Sequence, residues 1–133
     1  MIDTDKRQSS FDFLSELGEE DMSTAHTEKE VKEVIAQAKK YGYDYVVIDT
    51  PPTITPLNAM IIRLSDKVLI AVKPARFDVK SVYNTIDLVK ETKVKSCILL
   101  TQTINTSVNT KKNIEELQQP VVAYRCASLS KKP

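Results

Sequence analysis

The chain has 133 residues, 41% of them hydrophobic and 28% charged, with a formal net charge of +1. That is enough for one core and too little for two, in a composition ordinary for a soluble globular domain. The longest apolar runs, such as Val68-Leu69-Ile70-Ala71-Val72, exclude a membrane-spanning helix.

The amino terminus, Met1-Ile2-Asp3-Thr4-Asp5-Lys6-Arg7, lacks the basic-then-apolar order of a signal peptide. Cys97 and Cys126 offer neither a metal spacing nor a disulfide framework, and Cys97 reads as a small core residue. The expected setting is reducing and cytoplasmic. The net charge also hides a polarity. Residues 1–30 carry nine acids and three bases (−6), and the remainder nine acids and sixteen bases (+7). A basic remainder fits either solvated helix faces or weak attraction to an anionic partner such as DNA.

In chain order, Met1-Ile2 followed by Asp3-Thr4-Asp5 reads as the end of a strand. Ser9 or Ser10 is expected to cap a short helix carrying Phe11, Phe13, Leu14 and Leu17, with Gly18 as its stop. Residues 19–27 are acidic and polar and read as a loop. From 28 to 41, Val31, Val34, Ile35, Ala38 and Tyr41 form one helical stripe, which Gly42 ends. Residues 43–49, Tyr-Asp-Tyr-Val-Val-Ile-Asp, read as a buried strand. Pro51, Pro52 and Pro56 keep the next segment non-helical. Thr55 then caps a helix of about two turns, with Pro56 at its first position and Leu57, Met60, Ile61 and Leu64 turned inward.

Residues 67–73 form a second buried strand stopped by Pro74. Asp78 is expected to cap a helix with the stripe Val79, Val82, Tyr83, Ile86 and Val89. Residues 94–101 form a third strand, 105–119 include a polar helix, and 120–124 a last short strand. Alternation of this kind implies βαβ units, and the expected fold is α/β: a three-layer, mostly parallel sheet flanked by helices. One domain is expected over 1–125, with a basic tail at 126–133.

The acids Asp3, Asp5 and Asp49 leave strand ends, and acids at the carboxyl ends of neighbouring parallel strands share one crevice. Magnesium favours one or two carboxylates completed by water and phosphate oxygens. Turn chemistry is the competing reason for aspartate at such junctions. His26, the one histidine, falls in a polar stretch and reads as solvent-facing.

Residues 2–9, Ile-Asp-Thr-Asp-Lys-Arg-Gln-Ser, resemble the D-x-D-x-x-Q segment of the ParA/MinD family of deviant-Walker partition ATPases, and 43–52 resemble that family's Walker B strand. Leu57-Asn58-Ala59 and the run 65–74 are similar to its next helix and strand, so the resemblance extends to about residue 90. It implies a P-loop NTPase-like fold and ATP hydrolysis with magnesium and ATP as cofactors. By resemblance Asp49 holds the metal through a water, Asp5 orients the attacking water, and Asp3 supports the metal site. Thr50, Pro51 and Pro52 shape the loop beside the γ-phosphate, and Thr101 stands near the adenine position. Arg125, Lys131 and Lys132 correspond to a weak DNA-binding surface. The implied partners are a second copy of the chain, an adaptor of the ParB kind and non-specific DNA, with no membrane.

One departure bears on activity. The family's first strand, K-G-G-x-G-K-[ST] loop and helix have no counterpart here, and Gly18 and Gly42 are the only glycines. That loop supplies the backbone N–H groups that cradle phosphate. The expectation is therefore a shortened partition ATPase that does not hydrolyse ATP efficiently alone, or one whose loop comes from an upstream segment or another chain. Without the loop's strand, 43–49 and 67–72 are expected to close the gap between them or to pair with another copy. A phospho-acceptor receiver domain is the alternative, since Asp3 and Asp5 precede Asp49 by 46 and 44 residues. That fold needs a Lys-Pro step near Thr101, whereas Lys73-Pro74 comes one strand after Asp49.

Overall fold

A computed structural model describes residues 1–72, 76–101, 115 and 122–125, with 76–81, 100 and 122–125 described through the backbone alone. The elements are β1 (Ile2–Asp3), α1 (Ser9–Glu16), β2 (Ser23–Thr24), α2 (Glu28–Lys40), β3 (Ile48–Asp49), α3 (Pro56–Leu64), β4 (Lys67–Val72), α4 (Arg76–Thr92), β5 (Lys95–Leu100) and β6 (Val122–Arg125). Every strand pairing among the described residues is parallel, so the α/β reading holds. The strands form two three-stranded sheets, β2-β1-β3 and β4-β5-β6, within two compact units, Met1–Ile61 and Ile62–Pro133. Here β3 belongs to the first sheet and β4 to the second.

In the first unit β1 lies centrally, with Ile2 opposite both Ser23 and Ile48 and Asp3 opposite both Thr24 and Asp49. Its core is Ile2, Ala25, Val31 and Ile61, with Val34, Ile35, Val46, Ile48, Leu57 and Met60 packed against it. Helix α2 forms as its sequence demands. The Thr27 hydroxyl accepts from the Glu30 N–H, and Glu30 reaches back to the Thr27 N–H, a reciprocal cap. Gly42, at φ 78°, closes the helix in a conformation other side chains resist. The His26 N–H also donates to Glu30, which holds that carboxyl below its ordinary range. A depressed carboxylate stabilises the fold above its unfolded pKa, and the contribution is lost as pH falls through the folded value. Thr27→Ala is expected to cost about 1 kcal/mol at neutral pH and less in acid, where Glu30 is protonated. Urea unfolding at two pH values measures both.

Three expectations in this unit are corrected. The polar stretch 19–27 contains β2, because the Ser23 and Ala25 N–H groups donate to Met1 and Asp3 carbonyls at 3.0 Å. The strand expected over 43–49 is regular only at Ile48–Asp49. Its side chains alternate, with Tyr45 and Val47 exposed at 88% and 61% and Val46 and Ile48 half-buried. Only one face of the strand is covered, so the run is not sealed on both sides. Finally, neither Ser9 nor Ser10 caps α1: Gln8 stands at that position, at φ 53° and without a side-chain cap. Phe13 and Leu17 are exposed.

In the second unit β5 is central, fully registered with β4 from Lys67↔Lys95 to Val72↔Leu100 and with β6 from Cys97↔Val122 to Leu100↔Arg125. Ile62, Ile70, Val72, Val82, Ile86, Val89 and Ile98 form its core. Helix α4 starts at Arg76, so Asp78 lies inside it rather than capping it. Tyr83 and Leu64, both expected to face inward, are exposed at 41% and 47%. Cys97 is half-buried on β5. The Lys73-Pro74 stop, most of the helix expected within 105–119, Cys126 and the tail 126–133 lie outside the described residues. Among the described residues no helix is long and apolar enough to cross a membrane.

Candidate functional site

The carboxyl ends of β1 and β3 bring the acids together. Asp3 and Asp49 are register partners on adjacent parallel strands, and Asp5 follows two residues after Asp3. The junction is stitched by Thr4, buried, whose N–H and hydroxyl both donate to the Asp49 carbonyl at 3.0 and 2.7 Å.

The three acids have different surroundings. Asp3 is fully buried, at 0% exposure. A buried carboxylate is costly unless its oxygens are hydrogen-bonded. Here the Asp5 N–H donates to Oδ1 and the Phe11 N–H to Oδ2, each at 2.9 Å. Asp3 therefore caps α1 across space and fixes the 4–8 turn. Asp5 is half-buried; its Oδ1 accepts from the Arg7 N–H at 3.0 Å and its carbonyl from the Gln8 N–H at 3.0 Å. Asp49 is half-buried and its Oδ2 accepts a short bond, 2.5 Å, from the Ser10 hydroxyl.

Other residues border the same edge. His26 follows β2 and is half-buried rather than solvent-facing. Its Nε2 lies 3.1 Å from Gln8 Nε2, and its buried Nδ1 has no hydrogen-bond partner among the described residues. After β3, Thr50 and Pro52 are exposed and Pro51 half-buried. That loop is tied down from α3. Asn58, buried, donates from Nδ2 to the Pro51 and Thr53 carbonyls at 3.0 and 2.7 Å, while its Oδ1 accepts from the Thr55 hydroxyl at 3.0 Å. The Asn58 N–H donates to Thr55 Oγ1 at 3.1 Å, so Thr55 caps α3 as expected.

In the second unit, Thr101 follows β5; its N–H donates to the Val72 carbonyl at 2.8 Å. Arg125 ends β6, and Lys131 and Lys132 lie outside the described residues. A pocket of about 240 Å³ in the first unit lies away from the acids, beside the amino ends of β1 and β2, and is lined by Met1, Asp21, Tyr41, Tyr43 and Tyr45 among others.

Among the described residues no three His, Cys, Asp or Glu side chains group closely enough to hold an ion by themselves. Magnesium does not require that, since it keeps several waters and takes one or two carboxylates with phosphate oxygens. Asp49 and Asp5, both partly accessible at the ends of adjacent strands, fit that donor set. Ser10 and His26 are neighbours that motif reading gives no role at the acids, and Asn58 lies in the run that carries the resemblance but without a role there.

Residues 8–116 match a family model described as an AAA domain. No curated protein matches the chain.

Proposed function

Because the chain belongs to this AAA domain family, AAA_31, which is ParA/MinD-like, we propose that it carries the acid side of a partition ATPase's magnesium-nucleotide site. Asp49 would hold the metal and Asp5 would orient a water toward the γ-phosphate. Bound magnesium and ATP supply the electrophilic phosphorus and the charge neutralisation. This chain contributes carboxylates and a rigid Thr50–Pro52 wall, with Asp3 as the brace behind them. The phosphate-cradling loop belongs to a segment outside these residues, upstream or on another chain. Self-association through the outer edge of β3, which pairs with no other strand among the described residues, an adaptor of the ParB kind and weak, salt-sensitive contact with DNA complete the reading.

The observation that carries it is the register Asp3↔Asp49, with Asp5 just beyond, at the carboxyl edge of a parallel pair. Calorimetry tests it. The chain alone is expected to show no tight ATP·Mg binding. The chain with a strand–K-G-G-x-G-K-T–helix segment joined ahead of Met1 is expected to bind in the micromolar range and to hydrolyse ATP. Asp5→Ala in that protein is expected to lower turnover by about a hundredfold or more, the scale of a water-positioning group, without weakening binding comparably. Micromolar binding by the chain alone, or hydrolysis indifferent to Asp5, overturns the reading.

A further inference from the structure

The hydroxyl of Ser10 reaches across from α1 to the acid on β3, a contact that neither turn chemistry nor capping requires. Ser10 is the second residue of α1, where a serine ordinarily leaves its side chain in water, yet its Oγ lies 2.5 Å from Asp49 Oδ2. Two other contacts hold the pieces in place. The Asp3 carboxylate grips the Phe11 N–H at 2.9 Å, which fixes the first turn of α1 against the strand ends. Thr4 grips the Asp49 carbonyl through both of its donors, which fixes the Asp49 backbone. With both backbones fixed, the Ser10 bond settles the remaining freedom, rotation of the Asp49 side chain.

We propose that Ser10 is a positioning residue that locks the Asp49 carboxylate in one rotamer, holding Oδ2 and committing the other oxygen to a metal-bound water. This rests on the magnesium reading given above. Carboxylates beside a metal are commonly held by such partners, and losing the partner weakens metal binding about 10- to 100-fold.

The test uses the chain itself, with Ser10→Ala and Ser10→Thr, and Mn²⁺ alone as the probe. Three-bond couplings of Asp49 are expected to report a single rotamer in the parent and in Ser10→Thr, which keeps the hydroxyl, and an averaged one in Ser10→Ala. Mn²⁺ broadening of the Asp5, Asp49 and Thr50 amides is expected to need roughly tenfold more metal in Ser10→Ala and about the same amount in Ser10→Thr. Protection of the Phe11 amide is expected to persist in all three, showing α1 intact.

A single Asp49 rotamer in Ser10→Ala overturns the proposal. Unchanged Mn²⁺ affinity also overturns it, as does loss of Phe11 protection together with the rotamer, which marks a purely structural role. Rotamer loosening as expected, with no Mn²⁺ effect at Asp49 in the parent, overturns the magnesium reading and the metal-positioning role that depends on it.

Discussion

Replacing Asp3 with alanine is expected to destabilise the Met1–Ile61 unit by about 2–6 kcal/mol, roughly 1–3 for each backbone N–H left without its acceptor. Those donors, on Asp5 and Phe11, reach a carboxylate that is 0% exposed. Water cannot replace the lost acceptor without opening the centre of the sheet. Asp3→Asn keeps one acceptor oxygen but turns its amide group toward the other N–H, and is expected to recover about half of the loss. Asp12, exposed on α1, is the control; its alanine variant should stay within about 0.5 kcal/mol of the parent. Urea unfolding measures all three. A near-neutral Asp3→Ala would show that the cap across space contributes nothing, and that α1 holds its place by other means.

The second large effect is expected at Asn58, where an aspartate has almost the same shape and the wrong polarity. Its Nδ2 donates to the Pro51 and Thr53 carbonyls. An ionised oxygen there faces two carbonyl oxygens and satisfies neither. Asn58→Asp is expected to cost about 2–4 kcal/mol at neutral pH, from two lost bonds and an added repulsion. The sign with pH follows from protonation. Below its pKa the introduced carboxyl regains one donor, so the deficit should shrink in acid. Thermal unfolding at neutral and mildly acidic pH checks the difference, and a deficit that grows in acid rules out the hydrogen-bond account. Hydrogen exchange at Thr53 is expected to rise with it, because the loop after Asp49 loses its tether.

The alternation of strands and helices was legible because each segment's local pattern agreed with its place. The 3.6-residue stripe of α2, the threonine ahead of Pro56 and the apolar runs of β4 and β5 needed no outside help. The candidate site was legible to the level of its acids, since aspartates after β-branched runs fall at strand ends. What those acids do was not legible. Asp3 is committed to backbone donors, one of them eight residues away across a turn, and no spacing rule announces that contact. Ser9 and Ser10 both look like caps in sequence, because serine before an apolar helix usually is one. In the fold a distant carboxylate took the capping task and freed the Ser10 hydroxyl for Asp49. The short β2 was missed for a related reason: Ser23-Thr24 has no apolar pattern of its own and is strand only because β1 lies beside it. The division into two sheets was equally hidden, because an apolar run gives its own length but not its neighbour.

Thr4 makes the alignment of β1 and β3 all-or-nothing. Both of its donors close on one carbonyl, so sliding either strand by a single residue breaks two bonds at once and turns every side chain on it to the opposite face. A ladder only two residues long therefore keeps its phase as a longer one does. Extending or trimming the chain on the far side of either strand leaves the aspartates aimed as they are.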